Sequence, residues 1–420
     1  MKVTLHDFSG HPFQAELSRR LATAGHEVEH VSAEQYVSGK GHLSVQPDDS
    51  STLSFTGISL DLPFQKYAPL ARLRFERAYA REWIERLKAH RPDVVIACNL
   101  PLVSMYLFAR FARRARLPYV MWHQDIYSSG LSDELHRKFP RPIAGLGARV
   151  FRRMEAYCAR NAGHVVAIGD AFKTVYPDWR VKSQDVSVIP NWAPLDKVFP
   201  VARDNPRSDD VFPDHDGLRL LYAGTIGRKH NPGLLVDLLT SVRSAGVDAN
   251  LTVVSEGEAA DDLAARAASD PSLRVLPFQP AEDLPSVLSS ADVLVALLEP
   301  DATKFSIPSK VLSYMAAGRP IVGLMPSDNP AAADITDCGG MVTDPTATGV
   351  MAAVDWLVLL ADDRERQTVI GKRTRDLAER KFQADDVAAK FEKILVSIGE
   401  PGAVRSNAAP TGASPDRRTA

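Results

Sequence analysis

Residues 218–233 read LRLLYAGTIGRKHNPG, and this stretch decides what fold to expect for the second half of the chain. The apolar run that ends at Ala223 is typical of a buried strand. Gly224 and Gly227 then free the backbone of a turn, and a helix is expected from Gly233 onward. Such a strand–turn–helix unit favours an anion, because glycines allow close approach and amides at a helix start point outward.

The turn also carries three adjacent basic side chains, Arg228, Lys229 and His230. Cations beside free helix amides suit a diphosphate in particular. A solvated basic turn with no ligand is the alternative that the residues leave open.

Apolar runs alternate with amphipathic helical segments in both halves of the chain. The first half contains KVTLHDF, PDVVIA and LPYVMWHQD, and the second contains LRLLYAG, NLTVVSEG and ADVLVALL. This alternation predicts an α/β protein with two doubly wound parallel sheets. The predicted organisation is a first domain over 1–195, a linker over 196–217 in a Pro- and Asp-rich stretch, a second domain over 218–379, a helix over 380–398 that joins the first domain, and a disordered tail over 399–420.

Composition excludes several classes of protein. The chain has 420 residues, 45% hydrophobic and 24% charged, with a formal net charge of −2, which gives no nucleic-acid signature. Its three cysteines are far apart and lack metal spacing, so we expect a reducing, cytoplasmic setting with neither a disulfide framework nor a zinc site. The opening residues resemble a strand, not a signal peptide, and the longest apolar stretch, 94–108, is too short to span a bilayer.

A second stretch, SIPSKVLSYMAAGRP at 306–320, predicts a helix from Ser309 to Ala317 that stops at Gly318. Lys310 then lies in the first turn, where the helix macrodipole disfavours a cation unless an anion neutralises it. A bound phosphate explains the lysine better than helix stability does. A long side chain that reaches solvent is the alternative.

These motifs together resemble a known family. LLYAGTIGRKHNP, TVVSEGE, LPFQP, SSADVLVALL and FSIPSKVLSYMAAGRPIVG are similar to the C-terminal half of family-four GT-B glycosyltransferases, and SGHPF, AGHEV, WHQD and VIPNWAP agree in the N-terminal half. The resemblance covers roughly residues 1–398 and is closest to bacterial enzymes of capsule, exopolysaccharide and O-antigen assembly. It implies two Rossmann-like domains that face each other across a cleft, and transfer of a sugar with retention of configuration. It also implies that the reaction needs no metal ion or other cofactor.

The resemblance also implies which residues bind the donor. In the family a basic pair holds the diphosphate, and Arg228 and Lys229 are the candidates here. The common GRLxxxKG pattern, aligned on Gly224, instead puts Thr225 and His230 at its basic positions. The chain departs from the family's E-x7-E element, because Phe305 and Ser313 stand where the two glutamates usually lie.

On the other side of the cleft, WHQD at 122–125 suggests the acceptor site. In the family a histidine here lies over the donor sugar, which makes His123 a catalytic candidate; a buried, satisfied histidine is the alternative. The full prediction is His123, Arg228 and Lys229 as catalytic residues, Gly10, Gly224, Thr225, Gly227, His230, Phe278, Phe305, Ser309, Lys310 and Ser313 for the donor, and Trp122 and Asp125 for the acceptor. Gly10 suits a ligand or a plain tight turn equally well, and Phe278 lies in the segment expected to bind the base.

The expected partners are a nucleotide-sugar donor, a saccharide or polyprenyl-diphosphate-linked acceptor, and an anionic membrane at the inner face of the plasma membrane. Residues 106–160 hold eleven Lys or Arg against four Asp or Glu. Upstream, Phe75, Tyr79 and Trp83 recur at helical spacing among arginines, which is typical of an interfacial surface. The alternative is that these aromatics face the core.

Two other functions remain open at this point. A non-hydrolysing nucleotide-sugar epimerase would bind the same donor without an acceptor groove. A non-catalytic nucleotide-sugar-binding partner would explain the replacement of both family glutamates.

Overall fold

The structure, a computed structural model, describes residues 1–35, 41–65, 68–226, 231–298, 305 and 308–399. The predictions for Gly227, Arg228, Lys229 and His230 lie outside the described residues, as does the predicted tail from residue 400 onward.

Within these residues, seven parallel strands form the first sheet, in the order β3-β2-β1-β4-β5-β6-β7. Helices cover both of its faces, so most of its strand residues are buried, including polar ones such as His6, Glu29 and His30. The strands are β1 (Lys2–Asp7), β2 (Glu27–Ala33), β3 (Leu53–Ile58), β4 (Val94–Cys98), β5 (Tyr119–His123), β6 (His164–Ala167) and β7 (Val186–Val188), and the helices are α1 (Pro12–Thr23), α2 (Pro69–His90), α3 (Leu102–Ala115), α4 (Tyr127–Lys138) and α5 (Arg141–Asn161).

The described part of the second half contains a six-stranded parallel sheet, in the order β10-β9-β8-β11-β12-β13. Its strands are β8 (Leu218–Ala223), β9 (Ala249–Val254), β10 (Leu273–Leu276), β11 (Val293–Leu297), β12 (Ile321–Leu324) and β13 (Met341–Thr343). Its helices are α6 (Ser208–Val211), α7 (Gly233–Ser244), α8 (Glu258–Ala267), α9 (Leu284–Ser289), α10 (Ser309–Ala316), α11 (Pro330–Asp337), α12 (Ala347–Ala361) and α13 (Arg364–Lys381), and α14 (Ala384–Gly399) ends the described chain.

Each sheet is doubly wound. The chain runs outward from β1 to β3 and then crosses to β4 on the other side of β1, and it repeats this path from β8 to β10 and then to β11. A crevice therefore opens at the carboxyl ends of β1 and β4, and another at those of β8 and β11. The predicted α/β fold with two doubly wound domains is confirmed.

The last helix, α14, packs against the first sheet although it follows the second sheet in the chain. The ring of Phe391 is buried and lies 4.7 Å from that of Trp122 on β5. At the rim of this contact, the carboxylate of Glu392 lies 3.3 Å from the ring nitrogen of His26. Residues 380–398, predicted as a helix that joins the first domain, thus largely coincide with α14; the domain boundaries themselves stay predictions.

The aromatic residues of α2 correct one expectation about the surface. Phe75, Tyr79 and Trp83 are all buried in the core of the first sheet. Their i, i+4 spacing is therefore that of a helix face turned toward the sheet. They do not belong to a membrane-facing surface.

In the described residues, no helix combines the length and the apolar character that crossing a bilayer requires.

We expect Phe391→Ala to destabilise the first domain by about 3–5 kcal/mol, because it leaves a cavity beside Trp122. Val396→Ala is the matched control, since Val396 lies on the exposed face of the same helix. Denaturant unfolding followed by tryptophan fluorescence measures the difference, because four of the five tryptophans belong to the first half of the chain. Equal loss in both variants would mean that α14 contributes little to this core.

Candidate functional site

Lys310 lies directly against the turn that follows β8. Its ammonium nitrogen is 3.9 Å from the ring centroid of Tyr222 and is hydrogen-bonded to the Tyr222 hydroxyl. A Cβ placed on Gly224 would come within 3.2 Å of Lys310 Cε and 3.4 Å of its Nζ, and Gly224 has a φ of +136°. The glycine is thus required both for the turn and for the lysine beside it.

Two features destabilise the charged form of the Lys310 side chain unless an anion is bound. Burial lowers the pKa of Lys310 to about 7. It lies in the first turn of α10, at the positive end of the helix macrodipole. Among the described residues, no carboxylate lies within ion-pair distance of it. The arrangement therefore holds a desolvated cation in the crevice between β8 and β11 without the partner that such a charge normally has.

Tyr314, one helical turn after Lys310, explains how the lysine is placed. Its hydroxyl accepts a hydrogen bond from the amide of Ala223 at 2.8 Å and lies 3.0 Å from the carbonyl oxygen of the same residue. The hydroxyl is also 3.3 Å from the carbonyl oxygen of Val295 on β11. One face of α10 is therefore bonded to both strands that border the crevice, and this bonding fixes the direction in which Lys310 points.

Three other residues predicted to bind the donor lie near the Gly224 turn, and their side chains differ in solvent exposure. Thr225 is exposed, and its carbonyl oxygen accepts a hydrogen bond of 3.0 Å from the Tyr222 hydroxyl. Ser309 is exposed at the start of α10, whereas Ser313 is half-buried one turn later. The structure brings these three to the same edge of the second sheet as Lys310.

The two phenylalanines predicted to bind the donor, Phe278 and Phe305, lie in different surroundings. Phe278 is exposed after β10, and its amide donates a 3.1 Å hydrogen bond to the carboxylate of Glu256. The ring of Phe305 crosses to the first domain and lies 5.2 Å from that of Phe172. Phe278 is thus open to solvent beyond β10, and its role in binding the base stays a prediction, while Phe305 contacts the first domain.

His123 is 2% exposed, and both of its ring nitrogens are engaged. Nδ1 lies 3.0 Å from the Tyr176 hydroxyl, and Nε2 lies 3.2 Å from the carboxylate of Glu155. Glu155 is also buried and accepts hydrogen bonds from the amides of Tyr127 and Ser128 at 2.9 and 2.8 Å. In this geometry His123 positions the start of α4 and the segment that contains Tyr176, and its proposed catalytic role stays a prediction.

The two acceptor-side candidates of the same motif have different surroundings. Trp122 is buried, with its ring between those of Phe391 and Trp192 at 4.7 and 6.3 Å. Trp122 belongs to the core, because helices cover both faces of the sheet and each strand side chain packs against one of these two helical layers. Its expected contact with an acceptor stays a prediction. Asp125, which follows the strand, is exposed.

A cavity of about 450 Å³ lies beside this network. Its walls come from α4, from α5, from residues 174–179 and from Phe305, so it lies where the two domains meet. The polar and charged side chains among its lining residues are Ser128, Ser129, Ser132, Arg149, Arg152, Thr174 and Asp178. The His123 and Glu155 network connects three of the four walls and thereby holds the cavity in shape.

The crevice of the first sheet contains a second polar cluster. Asp7 is fully buried at the end of β1, and burial raises its pKa. Its carboxylate accepts hydrogen bonds from the Asn99 side chain at 2.8 Å and from the amide of His11 at 2.5 Å. Gly10, in the turn between them, is buried with a φ of 70°, and its carbonyl oxygen accepts a hydrogen bond of 2.8 Å from the amide of Gly41. These bonds describe a tight turn, and the proposed ligand role of Gly10 stays a prediction.

No group of three or more His, Cys, Asp or Glu side chains in the described part of the chain is placed to hold a metal ion. The expectation that no metal or cofactor is needed stays a prediction.

Comparison with known proteins identifies the family. Residues 11–192 match the family described as "Glycosyl transferase 4-like domain", and residues 217–359 match "Glycosyl transferases group 1". The chain belongs to the family-four GT-B glycosyltransferases. The first matched segment contains β2 to β7 of the first sheet, and the second contains all six strands of the second sheet.

Individual relatives of this GT-B chain are distant. It is 24% identical over 247 residues to a probable glycosyltransferase, WbjE, of Pseudomonas aeruginosa, and the match covers 57% of this chain and 58% of that relative. Sucrose-phosphate synthase from Thermosynechococcus elongatus has a TM-score of 0.69 and 14% identity, over 94% of this chain and 98% of its own. HepE of Anabaena, solved in complex with UDP and glucose, has a TM-score of 0.64 and 14% identity, over 94% and 100%. At these identities the solved structures establish the fold alone.

Sequence reasoning missed several residues that shape this site. Asp7 and Asn99 each end or follow a buried strand, so the rule that ligands bind at strand ends was a usable signal for them. Tyr222, Tyr314 and Glu155 gave no such signal, because their roles depend on pairing with residues distant in the sequence.

We expect Glu155→Ala to destabilise the protein by about 3–5 kcal/mol, because it removes the acceptor of two buried amides and of His123. Glu134→Ala, which breaks only a surface pair with Lys138, should cost less than about 1 kcal/mol. Denaturant unfolding compares the two variants. If both cost the same, the buried network does not support the cavity.

Proposed function

We propose that this protein transfers a glycosyl group from a nucleoside diphosphate sugar to a saccharide or lipid-linked saccharide during assembly of a cell-surface polysaccharide. The observation that carries the proposal is Lys310, a half-buried lysine held against the Gly224 turn at the crevice of the second sheet. A diphosphate in this crevice would supply the missing negative charge and would accept hydrogen bonds from the amides at the start of α10.

Family membership and a solved relative support the donor class. HepE, which shares the fold, was solved with UDP and glucose. In this chain, Phe278 and Glu256 lie beyond β10 and β9 at the same edge of the sheet as Lys310, where a base and ribose attached to the diphosphate would extend. We therefore propose a nucleotide sugar as the donor, with the diphosphate at Lys310.

The proposed reaction proceeds with retention and uses no protein nucleophile. The bond between the anomeric carbon and the phosphate oxygen breaks, the acceptor hydroxyl oxygen bonds to that carbon on the same face, and its proton passes to the departing diphosphate. The protein contributes positive charge at the diphosphate and a pocket that positions the sugar. Lys310 supplies part of that charge, and Arg228 and Lys229 are proposed to supply the rest.

The cavity beside α5 is the proposed acceptor site. Serine hydroxyls on one wall suit the hydroxyl groups of a saccharide, and Arg149 and Arg152 on another suit an attached phosphate. Phe305 connects this cavity to the donor domain, which favours transfer across the interface between the domains. An acceptor carried on a polyprenyl diphosphate would bring the protein to the inner face of the plasma membrane.

We expect nucleoside diphosphate affinity to fall as the pH rises above about 7, because the charged form of Lys310 binds the anion. The slope should approach roughly tenfold per pH unit between pH 7.5 and 8.5. Lys310→Met should bind at least tenfold more weakly at pH 7 and should lose this slope. Calorimetric titration with the nucleoside diphosphate that binds best in a thermal-shift screen measures both effects.

The free energy of unfolding, measured against pH, distinguishes a loss of binding in Lys310→Met from a loss of folding. The lowered pKa means that the unfolded chain binds more protons than the folded protein between pH 7 and about 10.5, so the ligand-free protein gains stability as the pH rises through this window. Lys310→Met should abolish that gain without lowering stability at pH 7. Lys372→Met, at an exposed position on α13, should leave stability and binding unchanged. Undiminished diphosphate binding by Lys310→Met would remove the basis of the proposed donor site.

We expect the purified protein, given its nucleotide sugar and a lipid-linked saccharide, to release the nucleoside diphosphate and extend the saccharide by one residue. Arg152→Ala should raise KM for the acceptor by roughly tenfold while leaving donor binding intact, because Arg152 lines only the acceptor cavity. Isomerised donor in the absence of any acceptor would favour an epimerase. Donor binding without turnover across an acceptor panel would favour a non-catalytic partner.

A further inference from the structure

The outward face of α5 carries a line of large apolar side chains in solvent. Ile143, Leu146 and Val150 are 59%, 61% and 45% exposed, and Phe139, just before the helix, is 44% exposed. The spacing of the three helical positions, i, i+3 and i+7, places them on one side of α5. We call these four side chains the α5 ridge.

The opposite side of the same helix already has its partners. Ala144, Ala156, Cys158 and Ala159 are buried, and Glu155 belongs to the network described above. The ridge is therefore not the core-facing side of α5. Scattered exposed apolar residues are normal on protein surfaces, but a contiguous group with charged residues around it usually marks a binding surface.

The sequence around the ridge is strongly basic, although Lys138 pairs with Glu134 and Arg152 with Asp178. Residues 135–154 contain six Lys or Arg and no Asp or Glu, although the whole chain carries a formal charge of only −2. Arg141, Arg149 and Arg153 are exposed, and in the described part of the chain none of them forms an ion pair with a carboxylate. Free arginines beside aliphatic and aromatic side chains fit an anionic lipid surface, in which the apolar groups enter the headgroup region and the cations bind the phosphates.

A second copy of this chain fits the ridge less well. A two-fold interface through α5 would bring the arginines of one copy against those of the other, which disfavours the pair. A cavity of about 690 Å³ adjoins the ridge at Val150, but Arg153, Arg160 and Arg180 also line it, so its chemistry favours an anionic partner as well.

We infer that the α5 ridge and its flanking arginines form a membrane-docking surface that binds anionic phospholipid bilayers. The surface lies beside the proposed acceptor site, since Ala148, Arg149 and Arg152 of the same helix line the 450 Å³ cavity. Docking would hold the mouth of that cavity near lipid headgroups. This last consequence rests on the proposed function, whereas the docking itself does not.

The test is sedimentation of the full-length protein with vesicles of phosphatidylcholine alone or with phosphatidylglycerol added. We expect binding to the anionic vesicles that weakens as the salt concentration rises, and little binding to neutral ones. The double variant Ile143→Asp with Leu146→Asp should bind at least tenfold more weakly. Met351→Asp with Leu359→Asp is the matched control, because these side chains are 54% and 64% exposed on α12 in the second domain, and it should bind as the unaltered protein does.

Three results would overturn the inference. These are no binding to anionic vesicles at low salt, equal loss of binding in the ridge and control variants, or a dimer in light scattering that the ridge variant dissolves while vesicle binding is absent. Nucleoside diphosphate binding and transfer to a water-soluble saccharide, measured on the same variants, should be unchanged. Failure of transfer with vesicle binding intact would count against the proposed function and leave the docking surface standing.

Discussion

A parallel sheet brings the carboxyl ends of all its strands to one edge, and this constraint organises both halves of the molecule. Where the strand order reverses, the connections leave in opposite directions and a crevice opens. The polar groups that the two sheets hold at these crevices are Lys310 in the second and Asp7 with Asn99 in the first. The chemistry available to the protein follows from where these crevices lie.

Three contacts fix the position of the Lys310 side chain at the crevice of the second sheet. Tyr314 fixes the face of α10, Tyr222 supports the ammonium group, and Gly224 leaves the space that a side chain would fill. A lysine whose pKa is lowered by burial opposes folding in its charged form, so its position in the first turn of α10 is better explained by binding than by stability. A preorganised charge of this kind costs no rearrangement when negative charge develops on a leaving group.

The sequence predicted the fold well because both signals involved are local. Apolar runs and helix stops are read over five to fifteen residues, and the strand–glycine–helix unit at 218–233 and the helix at 306–320 both depend on such runs. The buried surroundings of His123 and Trp122 could not be predicted from the sequence, for a physical reason. In a sheet covered on both faces, adjacent residues of a strand point into opposite cores, so a polar residue at the end of a strand faces a buried network as readily as a ligand. Glu155, 32 residues away, decides the environment of His123, and no short pattern shows that pairing.

Which side chains of a helix face solvent was also difficult to predict from the sequence, because it depends on contacts distant in the chain. On α2, arginines among regularly spaced aromatics suggested an interfacial helix, yet the aromatics are core residues. On α5 the small buried residues, mostly alanines, pack inward and the larger aliphatic ones face solvent, which inverts the usual pattern. As a result, the two sides of α5 make different contacts. One side carries Glu155, which holds the cavity walls through His123, and the other carries the α5 ridge. Because an α-helix is stiff over these few turns, contact of the ridge with a surface would fix the position of the cavity relative to that surface without any rearrangement of the fold.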